Sequence, residues 1–155
     1  MYENIKELKP VEFVWRYVLS NYKGKFSKNS LYRDVCDRLL KNKNPQEFFD
    51  FVKELNSAST IYKQIFEYSF HSEKINKKLK KLHLIEVSPS FTLLLKILPY
   101  FNNNEITEED VLEIMNMIEI LHIRWGICNQ ATSRLDPIYN TICAELKDKD
   151  PKEFK

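Results

Sequence analysis

NPQEFFDFVKELNSASTIYKQIFEYSF, residues 44–70, is the stretch on which the fold turns. Asn44 is placed to accept a hydrogen bond from the amide three residues on. Pro45 has no N–H to lose in a first turn, and Glu47 puts negative charge at the positive end of a helix. Behind this start Phe48, Phe51, Val52, Leu55, Ala58, Tyr62, Ile65 and Phe66 recur at helical spacing to about Phe70, with no glycine or proline among them. The spacing predicts the longest helix of the chain, and that helix is expected to be the central one.

Upstream, Leu31, Val35 and Leu39 repeat every fourth residue, with Tyr32, Cys36 and Leu40 widening the stripe, so a helix is expected over about Ser27 to Lys41. Before it, a helix opens at about Pro10 with Val11, Val14, Trp15 and Val18 on one face and ends before Gly24. Downstream, Ser72 caps a short helix that turns Ile75, Leu79 and Leu82 inward, and Ser88-Pro89 begins another carrying Phe91, Leu94, Leu95 and Leu98. Leu84 to Val87 between them reads as loop. After the polar turn Asn102 to Asn104, Thr107-Glu108-Glu109-Asp110 supplies a cap and three first-turn carboxylates for a helix through about Trp125, with Val111, Ile114, Ile118, Leu121 and Trp125 inward. A last helix over about Ser133 to Leu146 buries Leu135, Ile138, Ile142 and Leu146. The fold class is therefore all-α: one domain over residues 1–146, a bundle of six to seven helices, followed by a charged tail over 147–155 that is expected to fray.

At 155 residues the chain is long enough to bury one core without metal or disulfide. Its 24 Lys and Arg against 22 Asp and Glu leave a net charge of only +2, so any nucleic-acid contact has to come from a local patch. Cys36, Cys128 and Cys143 form an odd set with no CxxC spacing, which suits reduced thiols. No apolar run approaches the roughly 18 residues of a membrane span, and the start MYENIKELKP has no signal-peptide apolar region. A cytoplasmic protein is expected.

Only Gly24 and Gly126 are glycine, and neither GxxxxGK[ST] nor GxGxxG occurs, so no backbone loop is available to cradle a phosphate. His71, His83 and His122 lie in separate elements outside any metal-ligand spacing, and Glu108, Glu109 and Asp110 are accounted for by the helix start. No catalytic residue, metal or cofactor is assigned. One basic run stands apart: Lys74, Lys77, Lys78 and Lys81 fall on the helical face opposite Ile75, Leu79 and Leu82, with Lys80 beside them. Such a face either tracks the phosphates of DNA or is a solvated exterior. Lys23, Lys25 and Lys28 extend it only if they lie nearby.

The stretch from Ile106-Thr107-Glu108-Glu109-Asp110 through IEILHIRWGICNQATSRLDPIYNTICAEL resembles the helical region of GmrSD-type modification-dependent restriction proteins. That pattern runs from an acidic helix start into an apolar helix with an arginine near its end, then an Ile-Cys turn, a threonine and a final amphipathic helix. These features fall on Arg124, Ile127, Cys128, Thr132 and Leu135. Weaker similarity reaches back through LKKLHLIEVSPSFTLLLKILPYF and ELNSASTIYKQIF. The family often has paired arginines where this chain has Arg124-Trp125, a glycine where Asn129 stands and an asparagine where Asp136 stands.

Full-length relatives surround this region with a ParB/sulfiredoxin-like NTPase domain and an HNH nuclease domain. The resemblance thus implies neighbouring NTPase and HNH domains or subunits as partners, and a setting in restriction or phage defence. Neither catalytic motif is in this chain, so neither activity is expected of it. For the motif itself a structural part is expected: Arg124 capping or pairing inside the domain, Cys128 packed in the turn, and Thr132 or Ser133 capping the last helix. Two functions follow. The first is a non-catalytic helical scaffold of a restriction or defence protein that touches the DNA backbone; the second is an autonomous helical protein-interaction domain with an exposed apolar groove.

Overall fold

Asn44 starts its helix by a reciprocal pair of hydrogen bonds. In the computed structural model its Oδ1 accepts from the Glu47 amide at 2.9 Å, and the Glu47 carboxylate accepts from the Asn44 amide at 2.9 Å. The structure describes residues 9–147, 149–151 and 154. Among these there are seven α-helices: α1 Pro10–Asn21, α2 Leu31–Asp34, α3 Pro45–Glu67, α4 Glu73–Leu84, α5 Phe91–Asn102, α6 Glu108–Ile127 and α7 Leu135–Leu146. Single 3-10 turns at Lys28–Ser30, Ser88–Ser90 and Thr132–Arg134 lead into α2, α5 and α7. No strand occurs among the described residues; Ile85 and Glu86 turn with φ of 53° at Glu86, and Val87 drops into the core.

The caps at Ser72 and Thr107 form as the sequence predicts. Ser72 Oγ accepts from the Ile75 amide at 3.2 Å, and Thr107 pairs reciprocally with Asp110. Ile75, Leu79 and Leu82 are fully buried. The helix at the centre is α5, not α3. It packs against α1, α3, α6 and α7, and Phe91, Thr92, Leu93, Leu94, Leu95, Ile97, Leu98 and Phe101 are all buried. A helix apolar on every side has to be enclosed. Although α3 is the longest described helix at 23 residues, its first turns stand clear of the body, and Phe48, Phe49 and Val52 are exposed.

Three other expectations about buried faces are corrected. Because α1 is enclosed by α3, α5 and α7, its buried set is Phe13 and Trp15 through Ser20; Val14 is half-buried, and Val11, in the first turn, is exposed. Over residues 27–41 the chain forms a 3-10 turn, four α-helical residues and then π turns at Val35–Leu40. A repeat of four drifts by about 40° per step on a 3.6-residue helix, and wider turns reduce that drift. Val35, Leu39 and Leu40 lie half-buried on this segment, while Tyr32 points to solvent. In α7, Tyr139 and Cys143 take the inward positions beside Leu135, and Ile138 is exposed. Of the tail, residues 148, 152, 153 and 155 lie outside the described residues; Phe154 is buried with its ring edge-on to Tyr100 at 5.3 Å.

A charge lies where these helices meet. Arg16 of α1 is only 3% exposed. Its Nε donates to Glu12 at 2.9 Å, and its terminal nitrogen donates to Asp136 of α7 at 2.5 Å, to Thr92 Oγ1 of α5 at 3.4 Å and to the Pro89 carbonyl at 3.5 Å. Lys28 completes the cluster by pairing with Glu12, and both cations lie over the Trp15 ring at 4.4 Å. Asn140 of α7 ties the same helices further along, donating to the Leu19 carbonyl at 2.6 Å and to the Tyr22 carbonyl at 2.9 Å. Breaking one partner of a buried pair leaves a charge without compensation, so Asp136→Ala should lower unfolding stability by about 3 kcal/mol in urea titrations. Asp136→Asn, which keeps an acceptor for Arg16, should lose about half as much.

A second buried polar pair links α6 to α7. His122 Nε2 and the Tyr139 hydroxyl are 2.9 Å apart, and burial pushes the His122 imidazole down from 6.5 to about 4. The unfolded chain therefore takes up a proton near pH 6.5 while the folded chain resists until about pH 4, so folding stability falls as pH drops through that window. His122→Gln, which retains an acceptor for Tyr139, should remove roughly 2 kcal/mol of that loss when urea stability is compared between pH 7 and pH 4.

Candidate protein-docking face

The four lysines singled out by the sequence lie along the seam between α4 and α6. Lys74 donates to Glu108 at 2.7 Å, Lys81 donates to Glu119 at 2.6 Å, and Lys78 reaches both Glu119 and, at 2.5 Å, Asn116. Lys77 alone pairs along its own helix, 3.6 Å from Glu73. The hydrogen bond from Lys78, then that from Lys81, hold the Glu119 carboxyl below its usual range; Lys74 and then Ser72 do the same for Glu108. One solvated basic face is therefore not what forms. The Lys78 side chain is 12% exposed and belongs to the α4–α6 joint, whereas the ends of Lys74, Lys77 and Lys81 still reach solvent. Lys80 sits over the Tyr68 ring, and Lys28 turns to Glu12 and Trp15.

The residues of the α6–α7 motif separate into one that is inside and four that are outside. Leu135 is fully buried. Arg124, Ile127, Cys128 and Thr132 are exposed, and the Arg124 side chain has no ion pair or hydrogen bond among the described residues. The expected internal parts for Arg124 and Cys128 are thus corrected. Neither Thr132 nor Ser133 caps α7, which follows directly from a 3-10 turn without a side-chain cap. The turn itself closes through backbone: the amides of Cys128, Asn129 and Gln130 donate to the carbonyls of Arg124, Gly126 and Trp125. Asn129 has φ of 51°, the left-handed conformation that glycine adopts without strain and asparagine tolerates. Trp125 Nε1 then donates to the Ala131 carbonyl at 3.1 Å and fixes the far side.

Sequence reading missed what surrounds this motif. On the outward face of α6, Met117 is 50% exposed, Ile120 50%, Ile123 43% and Ile127 79%. They recur at three- and four-residue steps, so they share one side of the helix, together with Glu113, Asn116 and Arg124. Ile114, Met115, Ile118 and His122 occupy the opposite side and satisfy the core. The signal was available, because α6 carries apolar residues over more of its circumference than one buried face needs. Isolated exposed apolar residues are ordinary, whereas these four form a row along one helix.

An open cleft of about 1110 Å³ between α1, α3 and α5 has Glu47, Asp50, Glu54, Lys96 and Lys147 among its lining, together with Tyr17, Phe51 and Tyr100. There the Tyr17 hydroxyl donates to Glu54 at 3.2 Å, and burial, with Tyr22 and Glu54 nearby, keeps that hydroxyl protonated far above its ordinary value. His71 stacks on Phe101, and His83 lies among Phe66, Tyr68 and Phe91. No cluster of His, Cys, Asp and Glu suited to a metal occurs among the described residues, and no helix among them is long and apolar enough to cross a membrane.

Comparison with protein-family models, with curated proteins and with solved structures gives no match for this chain.

The lysines should separate by position. Lys77→Gln should change urea stability by no more than about 0.5 kcal/mol, as exposed pairs along one helix do, whereas Lys78→Gln should cost roughly 1–2 kcal/mol because it leaves Glu119 short of its main donor.

Proposed function

We propose that the chain is a non-catalytic helical interaction module that docks onto another protein through the outward face of α6. The observation that carries this reading is the exposed row Met117, Ile120, Ile123 and Ile127, which ends at the motif residues Arg124 and Cys128. The occupant is a helix presenting an apolar stripe of its own, because a straight row on a helix matches the helix-on-helix mode of recognition better than it matches a single side-chain pocket. The wider setting follows from the resemblance: a scaffold in a restriction or phage-defence system, working beside NTPase and HNH nuclease domains. DNA-backbone contact by Lys74, Lys77 and Lys81 is the second reading, favoured by the solvent-facing ends of those three side chains.

Proximity labelling in the cells that make the protein separates the two. Parent chain, Ile120→Lys/Ile127→Lys and Lys77→Gln should be compared, with circular dichroism showing that all three fold. One set of neighbours should be lost in the isoleucine variant and kept in the lysine variant. The same neighbours in all three sink the docking reading. Duplex-DNA binding by the parent at about 50 mM salt, with a salt slope that falls by about one unit in Lys77→Gln, would put DNA contact in its place.

A further inference from the structure

We infer that the partner on the outward face of α6 is a second copy of this chain, paired antiparallel; the inference rests on the docking reading above and names its occupant. Asn116, Ile120, Ile123 and Ile127 follow one another in steps of four, three and four, the spacing at which one helix forms a continuous seam against another. Flanking that seam are the exposed acids Glu109 and Glu113 towards the helix start and an exposed base, Arg124, near its end. Neither the Glu113 nor the Arg124 side chain has an ion pair or hydrogen bond among the described residues. The face is therefore complementary to itself once reversed.

Parallel pairing would set Glu113 against Glu113, Arg124 against Arg124, and the two helix dipoles side by side in the same sense. Antiparallel pairing removes all three conflicts. The register that pairs the charges has its axis midway between residues 118 and 119, the centre of Glu113 and Arg124 and also of Met117 and Ile120; Ile123 and Ile127 then lie at the levels of Ile114 and Asp110 in the second copy. A two-fold axis at that level places Glu113 against Arg124 of the second copy twice, and Met117 against its Ile120 twice, as an isologous contact requires. Glu109, also exposed, extends the acidic end of each helix towards the basic end of the other. With 20 residues α6 is about 30 Å long and, at about 10 Å across, offers on the order of 600 Å² for the pair, below the ~1,200 Å² of tight complexes. The dimer is accordingly weak and reversible, with a dissociation constant on the order of 100 µM.

Sedimentation equilibrium from about 10 µM to about 1 mM chain tests this. The parent's mass should rise from one chain towards two, and Ile120→Lys, confirmed folded by circular dichroism, should stay at one. Glu113→Arg and Arg124→Glu should each weaken the dimer about fivefold, through two symmetry-related pairs, and the double variant Glu113→Arg/Arg124→Glu should restore it. A parent that stays monomeric at about 1 mM overturns the inference, as does a double variant no stronger than the single ones. A monomeric parent whose neighbours are nonetheless lost in Ile120→Lys/Ile127→Lys shows a docking face taken by another protein. Loss of both results removes the docking reading itself.

Discussion

A guanidinium withdrawn from water has to find an acceptor for each donor it turns inward, and that requirement organises this bundle. Arg16 draws on Glu12 within α1, on Pro89 and Thr92 at the entry to α5, and on Asp136 in the first turn of α7. These acceptors lie up to 120 positions away in sequence, so the pair is satisfied only when three helices are already in register. Apolar packing alone permits helices to slide and rotate at small cost, whereas a buried cation next to a displaced carboxylate does not. Asn140, one helical turn beyond Asp136, fixes the same two helices at a second point through the carbonyls of Leu19 in α1 and of Tyr22 just past its end. Orientation of α7 against α1 is thus set by polar contacts and its stability by the core around α5.

Helix starts were legible because they are local chemistry. Asn44, Ser72 and Thr107 each bring cap and amide within three residues, and no distant part of the chain can alter that arithmetic. Which faces are buried was legible only for helices with one packed side. Periodicity places Ile75, Leu79 and Leu82 of α4 correctly because α4 rests on α6 by one face. It misplaces Val11, Phe48, Val52 and Ile138, because a periodic pattern shows that a side chain is apolar and not whether another helix reaches that level. The centrality of α5 was present in FTLLLKILPYF, where apolar residues leave no polar stripe, but greater length made α3 the apparent centre.

The site was less legible than the fold. Lysine spacing along α4 is visible in the sequence, and the carboxylates that engage those lysines are not, since Glu108 and Glu119 are 34 and 41 positions away from Lys74 and Lys78. Arg16 gave no signal at all: one arginine in a first helix looks like any surface cation until its partners are assembled. In the stretch that resembles the helical region of restriction proteins, Arg124 and Cys128 lie outside where an internal part was expected.

That outward placement is informative because the folded chain makes no use of it. Every helix in the bundle contributes a buried face, and α6 contributes one as well through Val111, Ile114, Met115 and Ile118. Its other side could be wholly polar without loss to the core, and solubility alone would favour that. Gly126 sharpens the point: a Cβ there would meet no atom within 4 Å, so the chain's own packing does not call for a glycine in the last turn, where it weakens a helix by about 1 kcal/mol relative to alanine. Three isoleucines and a methionine on that side of α6 add nothing to the core, and their apolar area would leave water only against a further surface.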